Sequence, residues 1–108
     1  MFPTRLTAKQ MAALPLPAGR LSVQAFTNDD LELRYYAPQN SDQQVRHSRD
    51  EFYIVITGRG QFVRAGNTVA FGAGDVLFAA AGEAHVFEDF TPDFATWVVF
   101  FGPERPLG

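Results

Sequence analysis

The sequence predicts an all-β domain, a barrel or sandwich of short strands. Three observations carry that prediction. Runs of four to seven residues rich in Val, Ile, Phe, Tyr, Trp and Thr recur from Leu21 onward. Clusters of Gly, Pro, Asn and Asp separate them, so that strand and turn alternate at roughly ten-residue spacing. Only one stretch, at the N-terminus, has the composition of a helix.

That stretch is TRLTAKQMAA, residues 4–13. It ends at Leu14-Pro15-Leu16-Pro17, where proline removes an amide donor and clashes with the preceding turn. Residues 1–20 are therefore expected to form a helical and extended N-terminal segment, and residues 21–108 the β-domain. Its strands are expected at Leu21–Phe26, Leu31–Ala37, Phe52–Thr57, Gln61–Ala65, Thr68–Phe71, Val76–Ala79, His85–Glu88 and Thr96–Phe101. The intervening TNDD, APQNSD, TGRG, AGN, GAGD, AAGEA and FTPD supply the turns.

Two of the strands are apolar on both alternating sets. FYIVIT gives Phe52/Ile54/Ile56 and Tyr53/Val55/Thr57; TWVVFF gives Thr96/Val98/Phe100 and Trp97/Val99/Phe101. A half-exposed strand alternates apolar with polar residues, so both faces are expected to be covered. A second subunit is the expected cover, making the protein a homodimer; the N-terminal segment is the alternative.

Bulk composition narrows the function. A chain of 108 residues fits one domain, with 46% apolar and 19% charged residues. The net charge of -3 and the scattered arginines argue against a nucleic-acid partner. No cysteine is present, which excludes disulfides and thiolate metal sites. No apolar run reaches the ~18 residues of a membrane span, and the N-terminus does not read as a secretory signal. A cytoplasmic protein is expected by elimination.

The chain holds two histidines, His47 and His85. Glu51 follows His47 by four residues, at the mouth of an apolar strand. If His47 and Glu51 shared an ion, each donor would lie about 2 Å from it. Four residues of straight strand span roughly 13 Å, and the β-branched run after Glu51 is a poor helix. A chain reversal at Ser48-Arg49-Asp50 is the remaining way to bring them together. A histidine beside a carboxylate also reads as a simple hydrogen-bonded pair near a barrel mouth.

At these residues the sequence resembles the cupins, a superfamily of small β-barrels with two metal-binding motifs. The first motif is G-x5-H-x-H-x(3,4)-E-x6-G, and His47, Glu51 and Gly58 match its second half. The second is G-x5-P-x-G-x2-H-x3-N, matched by Gly74, Gly82 and His85. The chain departs from the pattern at Gln39 and Val45 in the first motif, and at Ala80 and Asp89 in the second. The resemblance implies a double-stranded β-helix (jelly-roll) barrel. It implies His47, Glu51 and His85 as ligands of a divalent transition metal: Fe, Mn, Ni, Cu or Zn. With Val45 in place of the first histidine, affinity should fall and one more coordination position should open.

Around those positions Gln43, Tyr53, Phe87 and Trp97 are candidate pocket residues. Tyr53 shares strand parity with Glu51, and Phe87 with His85. Gln43 shares the parity of Val45 and is a candidate carbonyl donor. Arg34, Arg46 and Arg49 could hold an anionic small molecule, although solvated surface arginines are commoner; DDLELR reads as a solvated turn. Gly58-Arg59-Gly60 precedes no helix and is not a phosphate loop, and no serine-hydrolase motif occurs. The resemblance implies a small-molecule site, with dioxygenase or isomerase chemistry among the family's activities. The alternatives are a non-catalytic ligand-binding or sensor barrel and a dimeric scaffold with a vestigial site.

Overall fold

A computed structural model describes residues 2–106. The helix α1 spans Ala8–Ala12, shorter than the composition predicts. Thr7 sets its start: the Thr7 hydroxyl accepts from the Gln10 amide, and the Gln10 side chain accepts from the Thr7 amide. This reciprocal capping box satisfies two otherwise orphaned amides. The helix ends at Ala13, just ahead of the prolines.

Eight strands follow: β1 Val23–Asn28, β2 Leu31–Tyr36, β3 Asp50–Thr57, β4 Arg59–Arg64, β5 Asn67–Gly72, β6 Val76–Ala79, β7 His85–Glu88 and β8 Ala95–Phe101. Every expected strand is present, and β6 and β7 have the expected limits. The strands form two antiparallel sheets of order β1-β2-β8-β3-β6 and β5-β4-β7. The order brings β8 between β2 and β3, the arrangement of a jelly-roll rather than a simple meander.

Between the sheets lies a core dominated by aromatic rings, including Tyr53, Phe62, Phe71, Phe87 and Phe94. Phe87 packs against Tyr53 edge-on at 4.8 Å and against Phe94 at the same distance. The tight turn into β4 depends on Gly58. Its φ is +87°, and a Cβ there would lie 2.6 Å from the Phe94 Cα. Both the left-handed backbone and the close approach of the Phe94 backbone demand glycine.

Register fixes which residues share a face of the larger sheet. Glu32 pairs with Phe100, which pairs with Glu51, which pairs with Ala79. The next inward row is Arg34, Val98, Tyr53 and Leu77. The outward rows contain Leu33, Val99, Phe52 and Phe78, then Tyr35, Trp97, Ile54 and Val76. The inner face is buried. On the outer face Ile54, Val76, Phe78 and Phe101 are 38%, 46%, 56% and 38% exposed. One chain alone thus does not cover both faces as the apolar runs lead one to expect. Helix α1 reaches β2 but leaves the β3–β6 side open. Among the described residues no helix is long and apolar enough to cross a membrane.

Candidate metal centre

Glu51 is the second residue of β3 and the first on its inward side, and is 2% exposed. His85 opens β7 in the facing sheet and is 9% exposed. His47 precedes β3 in a segment outside any strand, and a bend at Ser48 and Arg49 leads the chain into β3. The turn expected over Ser48-Arg49-Asp50 is thus a bend at Ser48 and Arg49 alone, because β3 begins at Asp50, two residues before the expected limit at Phe52. Two hydrogen bonds tie the motif regions together: the Gly82 amide donates to the His47 carbonyl at 2.8 Å, and the Ala81 amide donates to the Asp50 side chain, at Oδ1, at 2.9 Å.

These elements converge three side chains. His47 Nδ1 lies 3.0 Å from Glu51 Oε1, and His85 Nε2 lies 2.7 Å from the same oxygen. One donor atom from each of the three residues lies within 4.8 Å of the others, so the group could hold a metal ion. Glu51 Oε2 is buried and has no hydrogen-bond partner. A buried, unpartnered carboxylate oxygen is costly, by about 1–3 kcal/mol or more for a charged group. A cation between the three donors removes that cost, so the residues fit a divalent ion.

The second nitrogen of His85 is also held. Its Nδ1 donates to the Glu83 carbonyl at 2.8 Å, the usual support behind a ligating imidazole. With that proton in place, the 2.7 Å contact of Nε2 to Glu51 favours a second proton on the ring. Burial pushes its pKa down, but the hydrogen bond and charge of Glu51 more than offset this, and the net shift is upward. Burial likewise pushes the Glu51 carboxyl up; hydrogen bonds and charge from His47 and His85 outweigh it and hold the pKa below the ordinary value. A metal would replace the Nε2 proton rather than add to it.

Tyr53 stands over this group. Its hydroxyl lies 3.0 Å from His85 Nε2 and donates to Gln44 Oε1 at 3.0 Å. Burial and the charge of Glu51 push its pKa well up, so it stays a neutral phenol. Phe87 is buried one layer deeper in the aromatic core. Of the other two candidate pocket residues, Gln43 lines the cavity beside the centre and Trp97 does not. Trp97 lies on the outer face of the sheet, edge-on to Tyr35 at 5.9 Å, because its parity on β8 is opposite to that of Val98 and Phe100. Gln43 is an exposed residue of the cavity rim whose Nε2 donates to Ser41 Oγ at 2.7 Å; residues 42–47 are not a strand, so strand parity does not apply there. Its neighbour Gln44 reaches inward to Tyr53. Val45, where the resemblance expects a histidine, is 74% exposed.

The other two departures from the motif have local reasons. The Ala80 amide donates to Glu83 Oε1 at 2.9 Å, a bond that proline could not make. Asp89 has φ +51°, a conformation that Asp and Asn tolerate alike.

A cavity of about 380 Å³ opens beside the centre, lined among others by His47, Phe100, Tyr36, Glu32, Arg34 and Arg49. Arg34 is 7% exposed. Its Nε donates to Ser22 Oγ and its Nη1 to Glu32 Oε2, both at 2.6 Å. Arg49 Nη2 donates to Glu32 Oε1 at 2.5 Å. Burial pushes the Glu32 carboxyl up, but the two guanidinium groups outweigh it and the net shift is downward. Glu32 and Arg34 are thus wall residues, not part of a solvated turn, whereas Arg46 is exposed. The alternation Leu31/Leu33/Tyr35 against Glu32/Arg34/Tyr36 was the available signal; it separates the two faces without saying which is inside.

A family model described as a cupin domain matches residues 32–101. The uncharacterized protein SCO3923 of Streptomyces coelicolor is 36% identical over 64 residues, 59% of this chain and 61% of that protein. The match therefore spans less than two thirds of that relative. A protein of unknown function from Rhizobium leguminosarum has a similar structure, with TM-score 0.75 and 20% identity over 95% of this chain and all of that one (100%). A Cupin 2 conserved barrel domain protein from Salinispora arenicola gives TM-score 0.67 and 25% identity, covering 94% of this chain and 90% of that one.

Proposed function

The chain belongs to the cupin domain family, and from that premise we propose that it binds a divalent transition metal through His47, Glu51 and His85 and offers it to a small molecule in the adjoining cavity. The observation that carries the reading is the Glu51 carboxylate. It is buried, flanked by both imidazoles of the chain, and retains one oxygen without a partner. Two imidazoles and one carboxylate suit Fe, Mn, Ni, Cu or Zn. Such an ion supplies Lewis acidity and open coordination positions. Around it, Glu83 orients His85 through its carbonyl, and Tyr53 and Gln44 fix the polar side of the site.

Metal analysis of untagged protein, never exposed to a nickel column, tests this reading. Close to one equivalent of a first-row metal, or titratable uptake of one, is expected. Neither would mean that the site is structural.

One observation favours binding without turnover as the second reading. Apart from the three ligand residues, two ionisable groups near the centre are poorly placed to move a proton. Tyr53 is held neutral, and Glu32 is tied up by two guanidinium groups. Oxygen consumption and substrate loss over a panel of small enols, thiols and catechols separate the readings: binding with no consumption selects the sensor or storage role.

We also propose that the outer face of the five-stranded sheet pairs with a second copy of this chain. Two rows of that face, from β2 to β6, present Leu33, Tyr35, Val99, Trp97, Phe52, Ile54, Phe78 and Val76 without a charge; Asp50, in the next row opposite Phe101, is neutralised by Arg105. An isologous dimer sets one patch against itself, and a patch without charges meets no like-charge repulsion there. Light scattering after size exclusion should give twice the 12.0 kDa chain mass; a single-chain mass at micromolar concentration would end this proposal.

A further inference from the structure

The cavity wall opposite the metal centre carries more positive charge than it needs. Arg34 and Arg49 converge on the single carboxylate of Glu32, leaving one guanidinium charge uncompensated. The remaining charged lining groups, Arg20 and Glu104, cancel each other. Arg49 also holds its guanidinium over the Phe100 ring, with Cζ 5.1 Å from the centroid. His47 lies 4.9 Å from the same centroid, edge-on. Phe100 is therefore the shared floor between one of the three metal-site residues and the excess cation, within a chain whose net charge is -3.

Register gives the span. Glu32 and Glu51 occupy one inward row with Phe100 between them, two strands apart. Neighbouring strands lie about 4.8 Å apart, so the Cα atoms of Glu32 and Glu51 are separated by roughly 10 Å. Both side chains enter the same interior, so a molecule that reaches from the guanidinium groups around Glu32 to the imidazoles around Glu51 is a short one.

From this geometry we infer that the cavity selects a short organic acid, with one carboxylate on Arg49 and a second oxygen donor, carboxylate, hydroxyl or carbonyl, directed at His47, Glu51 and His85. The inference rests on the proposed metal for its second contact, but its first contact stands on the arginine pair alone. Arg49 is the subsite residue because it is the more accessible of the pair. Arg34 is buried and engaged by Ser22 and Glu32, so it positions Glu32 and adds its charge from behind.

The test uses the whole protein loaded with Co(II), titrated with malonate, succinate, adipate, succinamide and inorganic phosphate by calorimetry and by the visible cobalt bands. Malonate or succinate should bind at least 10-fold more tightly than adipate, succinamide or phosphate and should shift the bands. In Arg49→Gln that preference should fall at least 10-fold while cobalt uptake persists; Arg49→Lys should recover part of it. Equal binding of succinamide or phosphate, or undiminished binding in Arg49→Gln, overturns the inference while leaving the metal reading intact. If the wild-type protein takes up no cobalt, the metal reading fails by itself. The carboxylate subsite is then read on metal-free protein by amide shifts near Phe100 on adding succinate. Shifts lost in Arg49→Gln support it, and their absence from wild type overturns it.

Discussion

On the inner face of the five-stranded sheet, β2 contributes Glu32, Arg34 and Tyr36, and β3 contributes Glu51, Tyr53 and Val55. On the outer face the same strands contribute Leu31, Leu33 and Tyr35, and Phe52, Ile54 and Ile56. The sheet hides charges and shows hydrocarbon, the reverse of the usual half-solvated sheet. Each buried charge has a partner: Glu32 has two arginines and Glu51 two imidazoles. Such pairs rarely add stability over well-packed apolar residues. Their position beside a cavity is instead what ligand chemistry requires. The outer face carries Asp50 at the start of β3, ion-paired with Arg105, and beyond it exposed rings and aliphatic chains that suit contact with another protein surface.

Breaking the inner face should give the largest effect. His85→Ala removes one of three ligands and leaves Glu51 with one flanking imidazole. Metal affinity should drop by more than about 100-fold, beyond the 10–100-fold typical of a residue one shell further out. Unchanged uptake in a metal titration would mean that the ligands are misassigned. Breaking the outer face should leave the metal alone. Phe78→Glu places a charge on a side chain 56% exposed in the single chain, so the monomer should be destabilised by less than about 0.5 kcal/mol. Dimer dissociation should rise at least 30-fold, about 2 kcal/mol. Sedimentation together with metal uptake reports both halves of that expectation.

The pH response sharpens the same contrast. The raised His85 pKa contributes stability that is complete below its ordinary value of 6.5 and is lost as pH rises through the folded value. The lowered Glu51 pKa contributes stability present above its ordinary value of 4.5 and lost as pH falls through the folded value. For this cluster, metal-free protein should be most stable between pH 4.5 and 6.5 and should lose stability as pH rises above that window. Metal binding needs deprotonated imidazoles, so the stabilisation from added metal should grow over the same rise. Melting curves at several pH values, with and without metal, should diverge; parallel curves would separate His85 from metal binding. The smallest effect is expected at Ala80→Pro, which deletes the amide bond to Glu83 and should cost about 1 kcal/mol in urea denaturation without changing metal affinity.

The residues determined a good deal unaided. The turn residues and β-branched runs located all eight strands, because turn chemistry and side-chain alternation are local properties. The spacing of His47, Glu51, Gly58, Gly74, Gly82 and His85 pointed to the family and to the three convergent side chains. Trp97 was misplaced for a related reason: in a run apolar on both sides, composition does not tell inward from outward.

What only the tertiary structure decided is which face of each strand became the inside. Alternation with a period of two divides Leu31–Tyr36 into an apolar set and a charged set, and a sheet considered alone would bury the first. The placement of β8 between β2 and β3, and the packing of β4 and β7 across from them, put Glu32 and Arg34 in the same interior as Glu51 and His85. Contacts between strands far apart in sequence supply the partners that make those charges tolerable inside, and no local pattern contains that information.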